Sequence, residues 1–160
     1  VTKHARQGLS LLELLIVLAV LGILLGVGFV SLRSYQQSLI IREAAAQVAT
    51  ELVTIRQQAR RQSLDFCFQA ISIPGNAYRV GRRAGTGAST SCGDLSLPAR
   101  TLPPGVRFID AVGGLTTVTF HAPYGTPSAS NRGFHLEGPG GRRLDVNMVG
   151  VTGKVVVRAP

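Results

Sequence analysis

From Leu14 to Val30 the chain runs for 17 residues without a charge, nearly all of them Leu, Ile, Val, Ala or Gly. As a helix this run is about 25 Å long, and with Leu9, Leu11, Leu12 and Leu32 it approaches the ~30 Å hydrocarbon thickness of a bilayer. Only helices and closed barrels satisfy every backbone polar group inside lipid. The pattern therefore predicts one membrane helix over residues 9–32. A buried core helix and a cleaved secretory signal are the competing readings. The first is rarely apolar on all faces. The second has a shorter apolar stretch and a small-x-small cut site, which Gly26-Val27-Gly28 imitates.

After Leu32 the apolar period changes instead of stopping. Ile41, Ala45, Val48, Leu52, Ile55 and Ala59 recur at spacings of 4, 3, 4, 3 and 4, which is one stripe of an amphipathic helix. Arg42, Glu43, Glu51, Arg56, Arg60 and Arg61 lie off it. No proline precedes Pro74, so residues 9–62 read as one helix of roughly 80 Å. The stripe is the face on which a globular head packs. A self-associating coiled coil is the weaker reading, because only about three heptads are available and no e/g charge code is evident.

Beyond Ser63 the period shortens to β runs separated by glycine and proline turns. All eight prolines and 15 of the 19 glycines lie after Ile73. Strands are predicted at 66–73, 77–81, 106–110, 115–121, 134–137, 142–148 and 154–158. Gly138–Gly141 and Gly150–Gly153 are the hairpin turns joining the last three. The segments 85–93 and 124–133 read as polar, mobile loops. The fold class is α+β: a long N-terminal helix, half membrane-spanning and half amphipathic, packed on an antiparallel β-sheet head. The organisation is 1–8 as a basic leader, 9–32 as the membrane half, 33–63 as the amphipathic half and 64–160 as the head.

Composition sharpens this anatomy. The chain has 160 residues and a formal charge of +9, yet its mean hydropathy is positive, +0.25. Residues 1–8 carry +2, residues 9–32 carry −1, residues 33–63 carry +3 and residues 64–160 carry +5. So apolar a chain is not disordered, and the uneven charge argues against a compact soluble enzyme. His121 and His135 fall in strands with no acidic partner at an interpretable spacing. Asp94, Asp110 and Asp145 are not marked as a pair. Neither Gly85-Thr86-Gly87-Ala88 nor Gly138-Pro139-Gly140-Gly141 follows a phosphate-loop pattern. Two cysteines are too few for a typical zinc site. No catalytic residue, metal or cofactor is predicted.

One residue interrupts the apolar stretch. Glu13 stands among leucines, where an unpaired carboxylate costs several kcal/mol in hydrocarbon; a position at headgroup level would relieve that cost. Before it, residues 1–8 are basic, free of acids and end in glycine. The sequence Gly8-Leu9-Ser10-Leu11-Leu12-Glu13-Leu14-Leu15-Ile16-Val17 resembles the leader and cleavage site of type IV pilins and type II secretion pseudopilins. The resemblance implies cutting after Gly8 by a prepilin peptidase, N-methylation of Leu9 (where the family usually has Phe), and Glu13 as the fifth mature residue. It implies a single-pass inner-membrane protein, leader cytoplasmic and head periplasmic, that joins other subunits on an inner-membrane assembly platform. In a filament, a neighbour's Glu13 would pair with the Leu9 amine and fix the axial register. An unpaired buried charge would be strongly destabilising. Gly22 and Gly26 form a small-xxx-small spacing suited to close helix approach. The apolar half lacks the proline common in major pilins, which points to a minor subunit.

The head, ending in paired hairpins and Gly153-Lys154-Val155-Val156-Val157-Arg158, is similar to the GspH/FimT branch of minor pilins and pseudopilins. Export would permit a Cys67–Cys92 disulfide, which would stabilise by about 3 kcal/mol in the chain-entropy model; two separate thiols are the alternative. Some FimT-like minor pilins bind DNA through a terminal Gly-Arg-x-Arg motif during natural transformation, so a DNA-binding minor pilin for DNA uptake is the alternative function. Here Gly153-Lys154-Val155 is followed by Val156, and the next base is Arg158. Arg142, Arg143, Lys154 and Arg158 are the candidate DNA contacts, set against a merely solvated basic surface. No aromatic residue in that stretch would stack bases.

Overall fold

The computed structural model describes residues 10–84, 91–93, 99–114, 116–128 and 131–159. Among the described residues one helix, α1 (Leu11–Gln62), is followed by ten strands and a single 3-10 turn. The chain divides into two units, Val1–Gln36 and Gln37–Pro160.

In the first unit Ser10 immediately precedes α1, and its carbonyl accepts the Leu14 N–H at 3.2 Å. Glu13 occupies the first turn, where a carboxylate complements the helix dipole. Leu11, Ile23 and Leu25 are among many exposed large apolar side chains here, Leu25 at 72%. A helix this apolar, with none of its most apolar window buried, has no core of its own to enter. It is long and apolar enough to cross a membrane.

The second unit holds the core. Ile41, Ala45, Val48, Leu52, Ile55 and Ala59 are all buried, together with Ala44. The 3–4 spacing is thus the packing face of the helix, and it joins one cluster with the strand residues. The head has two antiparallel sheets instead of one. In the first, β1 (Phe66–Ala70) lies between β2 (Ala77–Ala84) and β6 (Thr117–His121); β3 (Ser91–Cys92) and β4 (Arg100–Thr101) pair with β2, and β7 (Thr126–Pro127) with β6. In the second, the order is β10 (Lys154–Arg158), β9 (Arg143–Val149), β8 (Arg132–Glu137), β5 (Arg107–Ala111). A bridge between Gly75 and Phe108 joins the two sheets, with N–H···O distances of 3.1 and 2.7 Å.

Four rings seal the junction. Phe68 lies 5.0 Å from both Tyr78 and Phe134, and Phe108 lies 5.5 Å from Phe134. Such pairs add about 0.5–1.5 kcal/mol beyond their burial. The buried Tyr78 hydroxyl accepts from Gln47 Nε2 at 2.7 Å. That contact and an ion pair between Arg100 and Glu51 tie the helix to strands β2 and β4. Gly138 brings the β8–β9 turn against the helix: an added Cβ would lie 2.9 Å from Ile41 Cβ.

The loop 85–93 is strand-forming at Ser91–Cys92, and 124–133 includes β7; residues 85–90 and 129–130 lie outside the described residues. Both hairpin turns are found. Pro139–Gly141 forms the 3-10 turn between β8 and β9, and Gly150 and Gly153 adopt positive φ between β9 and β10.

Candidate functional site

Gly8 and Leu9, the processing positions, lie outside the described residues. Glu13 is exposed in the first turn of α1. Gly22 and Gly26 stand one turn apart on α1, and a Cβ added to either meets nothing within 4 Å. Their smallness is therefore unused inside the unit.

Cys67 and Cys92 are joined by a disulfide, with Cα atoms 5.5 Å apart across 25 residues. Both side chains are buried. The bridge runs over β2 at Gly81, which is the β2 partner of Cys67. A Cβ on Gly81 would sit 2.5 Å from the Cα of Gly93. Glycine is needed there so that two backbones can approach.

The basic candidates of the last hairpin fall on the outer face of the second sheet, but not as one cluster. Arg142 follows the 3-10 turn and Arg143 opens β9. Arg143 is the cross-strand partner of Glu137, which also takes an ion pair from Arg107 at 3.1 Å. Arg158 is the partner of Asp145, whereas Lys154 is the partner of Val149 at the opposite end of the hairpin. Lys154 and Arg158 share a face but are about 13 Å apart along the strand. The face is a mixed-charge ladder: Asp110, His135, Asp145 and Arg158 are successive neighbours across four strands.

That ladder corrects the reading of the histidines. His135 Nδ1 is 2.5 Å from Asp145 Oδ1, so its acidic partner was ten residues away, across the turn. His121 Nδ1 is 2.8 Å from Asp65 Oδ2, and the other oxygen of Asp65 accepts the Ala122 N–H at 2.9 Å. Burial alone would raise the Asp65 carboxyl. The Ala122 hydrogen bond, the His121 contact and the charge of Arg83 outweigh it and hold the group below its ordinary value. Among the described residues no three His, Cys, Asp or Glu side chains converge on a metal-sized point.

A groove the sequence did not signal lies between the last turn of α1 and the turn after β6. It is an open space of about 440 Å³ lined by Gln57, Arg60, Arg61, Pro123 and Tyr124. Arg60 and Arg61 were legible only as residues off the apolar stripe. Tyr124 fell within a segment read as a polar loop.

Residues 3–29 match the model of the prokaryotic N-terminal methylation motif. Two crystal structures of the type IV minor pilin FimU from Pseudomonas aeruginosa (strain PAO1) share the fold. One, in space group P65, is 19% identical with a TM-score of 0.55, covering 74% of this chain and 96% of that one. The other, in space group P21, is 18% identical with a TM-score of 0.58, covering 78% and 95%. No curated protein matches the chain. A prokaryotic methylation motif thus leads into the N-terminal helix, and the fold of the chain is similar to that of a type IV minor pilin.

Proposed function

We propose that the chain is a minor pilin or pseudopilin: a structural subunit cut after Gly8, N-methylated at Leu9 and assembled with other pilin subunits through α1. The observation that carries this reading is the passage of the methylation motif, residues 3–29, into a helix whose apolar side chains are exposed on every side. Such a surface needs lipid before assembly and other helices after it. Residues 9–32 anchor the subunit in the inner membrane. The leader 1–8 faces the cytoplasm and the head 64–160 the periplasm, a compartment that tolerates the Cys67–Cys92 bridge. Prepilin peptidase and the inner-membrane platform are its partners in biogenesis. The filament is of the type IV pilus or type II secretion kind.

Glu13 is the assembly residue in this reading. After cleavage the Leu9 amine is a lone positive charge near the bilayer, and a neighbour's Glu13 neutralises it. Gly22 and Gly26 let the neighbouring helix approach. DNA capture by the terminal hairpin is the less supported reading, because Arg143 and Arg158 each stand opposite a carboxylate.

Mass spectrometry of the N-terminal peptide, from a host carrying a prepilin peptidase, tests the processing. The expected peptide starts at Leu9 and is one methyl group heavier than the sequence. A peptide retaining Lys3 to Gly8 would contradict it.

A further inference from the structure

The edge of a β-sheet presents unpaired N–H and C=O groups, and proteins blunt it with short strands, proline, bulges or a covering segment. All but one of the edges described in this head are treated in that way. The first sheet ends in β3 and β4 on one side, two residues each, with β3 stapled through Cys92 to Cys67. It ends on the other side in β7, of whose two residues one is Pro127. In the second sheet β5 shifts register between Phe108 and Asp110 and is bridged at Phe108 by Gly75. The exception is β10. Its five residues, Lys154-Val155-Val156-Val157-Arg158, include neither glycine nor proline. It pairs with β9 in unbroken register, from Lys154 opposite Val149 to Arg158 opposite Asp145. Among the described residues no backbone hydrogen bond or bridge reaches its other side.

The side chains of β10 define what fits along that side. Alternation puts Lys154, Val156 and Arg158 on the outer face of the sheet and Val155 and Val157 on the core face. Gly153 seats the start of the strand against the first sheet, where an added Cβ would lie 3.3 Å from the Phe120 ring. At the other end Val157 is 42% exposed, although Val146 opposite it is fully buried. The core face is therefore uncovered where β10 ends. The two bases are also unengaged. Lys154 stands opposite a valine, and Asp145, opposite Arg158, is taken by His135 at 2.5 Å. Neither base makes an ion pair among the described residues.

These charges exclude one occupant and attract another. Two copies of β10 laid edge to edge, antiparallel about Val156, would set Lys154 against Arg158, and like charges directly opposite are destabilising. Acidic residues at the same two positions would be attracted, and an apolar residue beside Val157 would cover it. A nucleic-acid strand would use the bases but leave the backbone groups and Val157 unmatched.

We propose that β10 is a docking edge for an extended segment of a partner protein. The segment adds to the sheet as an antiparallel strand of the pattern acid–apolar–polar–apolar–acid. Its carboxylates lie opposite Arg158 and Lys154, and its apolar residues opposite Val157 and Val155. Main-chain hydrogen bonds supply the affinity and alternate side chains the selectivity. This goes beyond the subunit reading and does not depend on it.

The test uses the full chain in nonionic detergent micelles and a fluorescein-labelled peptide containing Glu-Val-Thr-Val-Glu, followed by fluorescence anisotropy at low salt. Saturable binding is expected, and a Lys-Val-Thr-Val-Lys counterpart should not bind. Lys154→Glu with Arg158→Glu should weaken the acidic peptide by roughly 10-fold or more and take up the basic one instead. If circular dichroism melting shows that this variant unfolds, Lys154→Gln with Arg158→Gln replaces it, with loss of the acidic peptide expected. Strand addition has a further signature, because successive N–H groups of a strand point alternately toward and away from its antiparallel neighbour. One peptide is N-methylated at both Val and another at both Glu and the Thr; one of the two should lose binding and the other keep it. Equal effects of the two methylation patterns would overturn the proposal, as would no binding of the acidic peptide or indifference to the charge changes. Binding of a mixed-sequence DNA strand in place of the peptide, lost in the same variant, would assign Lys154 and Arg158 to nucleic acid and overturn it too.

Discussion

Asp65 holds His121: the two side chains meet at 2.8 Å, and the same carboxylate takes the backbone N–H of Ala122 at 2.9 Å. The residue that leads from α1 into β1 therefore fixes the far end of β6 and the turn carrying Tyr124. Helix end, sheet and groove are coupled through one side chain.

Asp65→Ala should cost about 1–2 kcal/mol, because it removes three interactions and leaves the Ala122 N–H without its acceptor. The pH dependence follows from the lowered carboxyl. A depressed folded value gives stability that is fully present above the unfolded value, about pH 4, and is lost as pH falls through the folded one. Melting temperatures of wild type and Asp65→Asn measured from pH 7 down to pH 3 should converge toward the acid end. A gap that stays constant would show that the Asp65 charge contributes nothing.

Reduction of the Cys67–Cys92 bridge should lower stability by about 3 kcal/mol, from the loop it closes in the unfolded chain. Urea unfolding with and without a reductant measures this directly. Cys67→Ala with Cys92→Ala should match the reduced protein, since both side chains are buried and small substitutions fit their place.

Gly125→Ala should destabilise by about 1–3 kcal/mol. Its φ of 64° disfavours a side chain, and the new Cβ would meet the Arg56 carbonyl, a backbone atom that yields little. Gly141→Ala shares the positive φ but meets nothing within 4 Å. It should cost less, so thermal melts of the two variants separate crowding from backbone strain.

The helix and its inner face were legible because a stripe from Ile41 to Ala59 needs only local periodicity. Seven longer strands were legible from their turns, although boundaries moved by a few residues: the predicted strand 66–73 ends at Ala70, and 77–81 extends to Ala84. The two-residue strands β3, β4 and β7 have no alternation to read. Partition into two sheets depends on long-range pairing, such as β1 with β6 and β5 with β8, and no local pattern encodes it. His135 and Asp145 mark the boundary of what was accessible. A hairpin centred on Gly140 places them opposite each other, so register arithmetic would have found the pair. Asp65 and His121 are 56 positions apart, and only the folded chain joins them. The groove was illegible for the same reason, since its arginines and its tyrosine come from distant segments.

In the proposed function this chain becomes part of a filament through its N-terminal helix. Immunoblotting of filaments sheared from cells that assemble them, against the membrane fraction of the same cells, tests it most directly. The wild-type chain should appear in the filament fraction without residues 1–8, and Glu13→Leu should be cut and inserted yet stay in the membrane. A wild-type chain that is absent from filaments and keeps its leader would rule out the filament role.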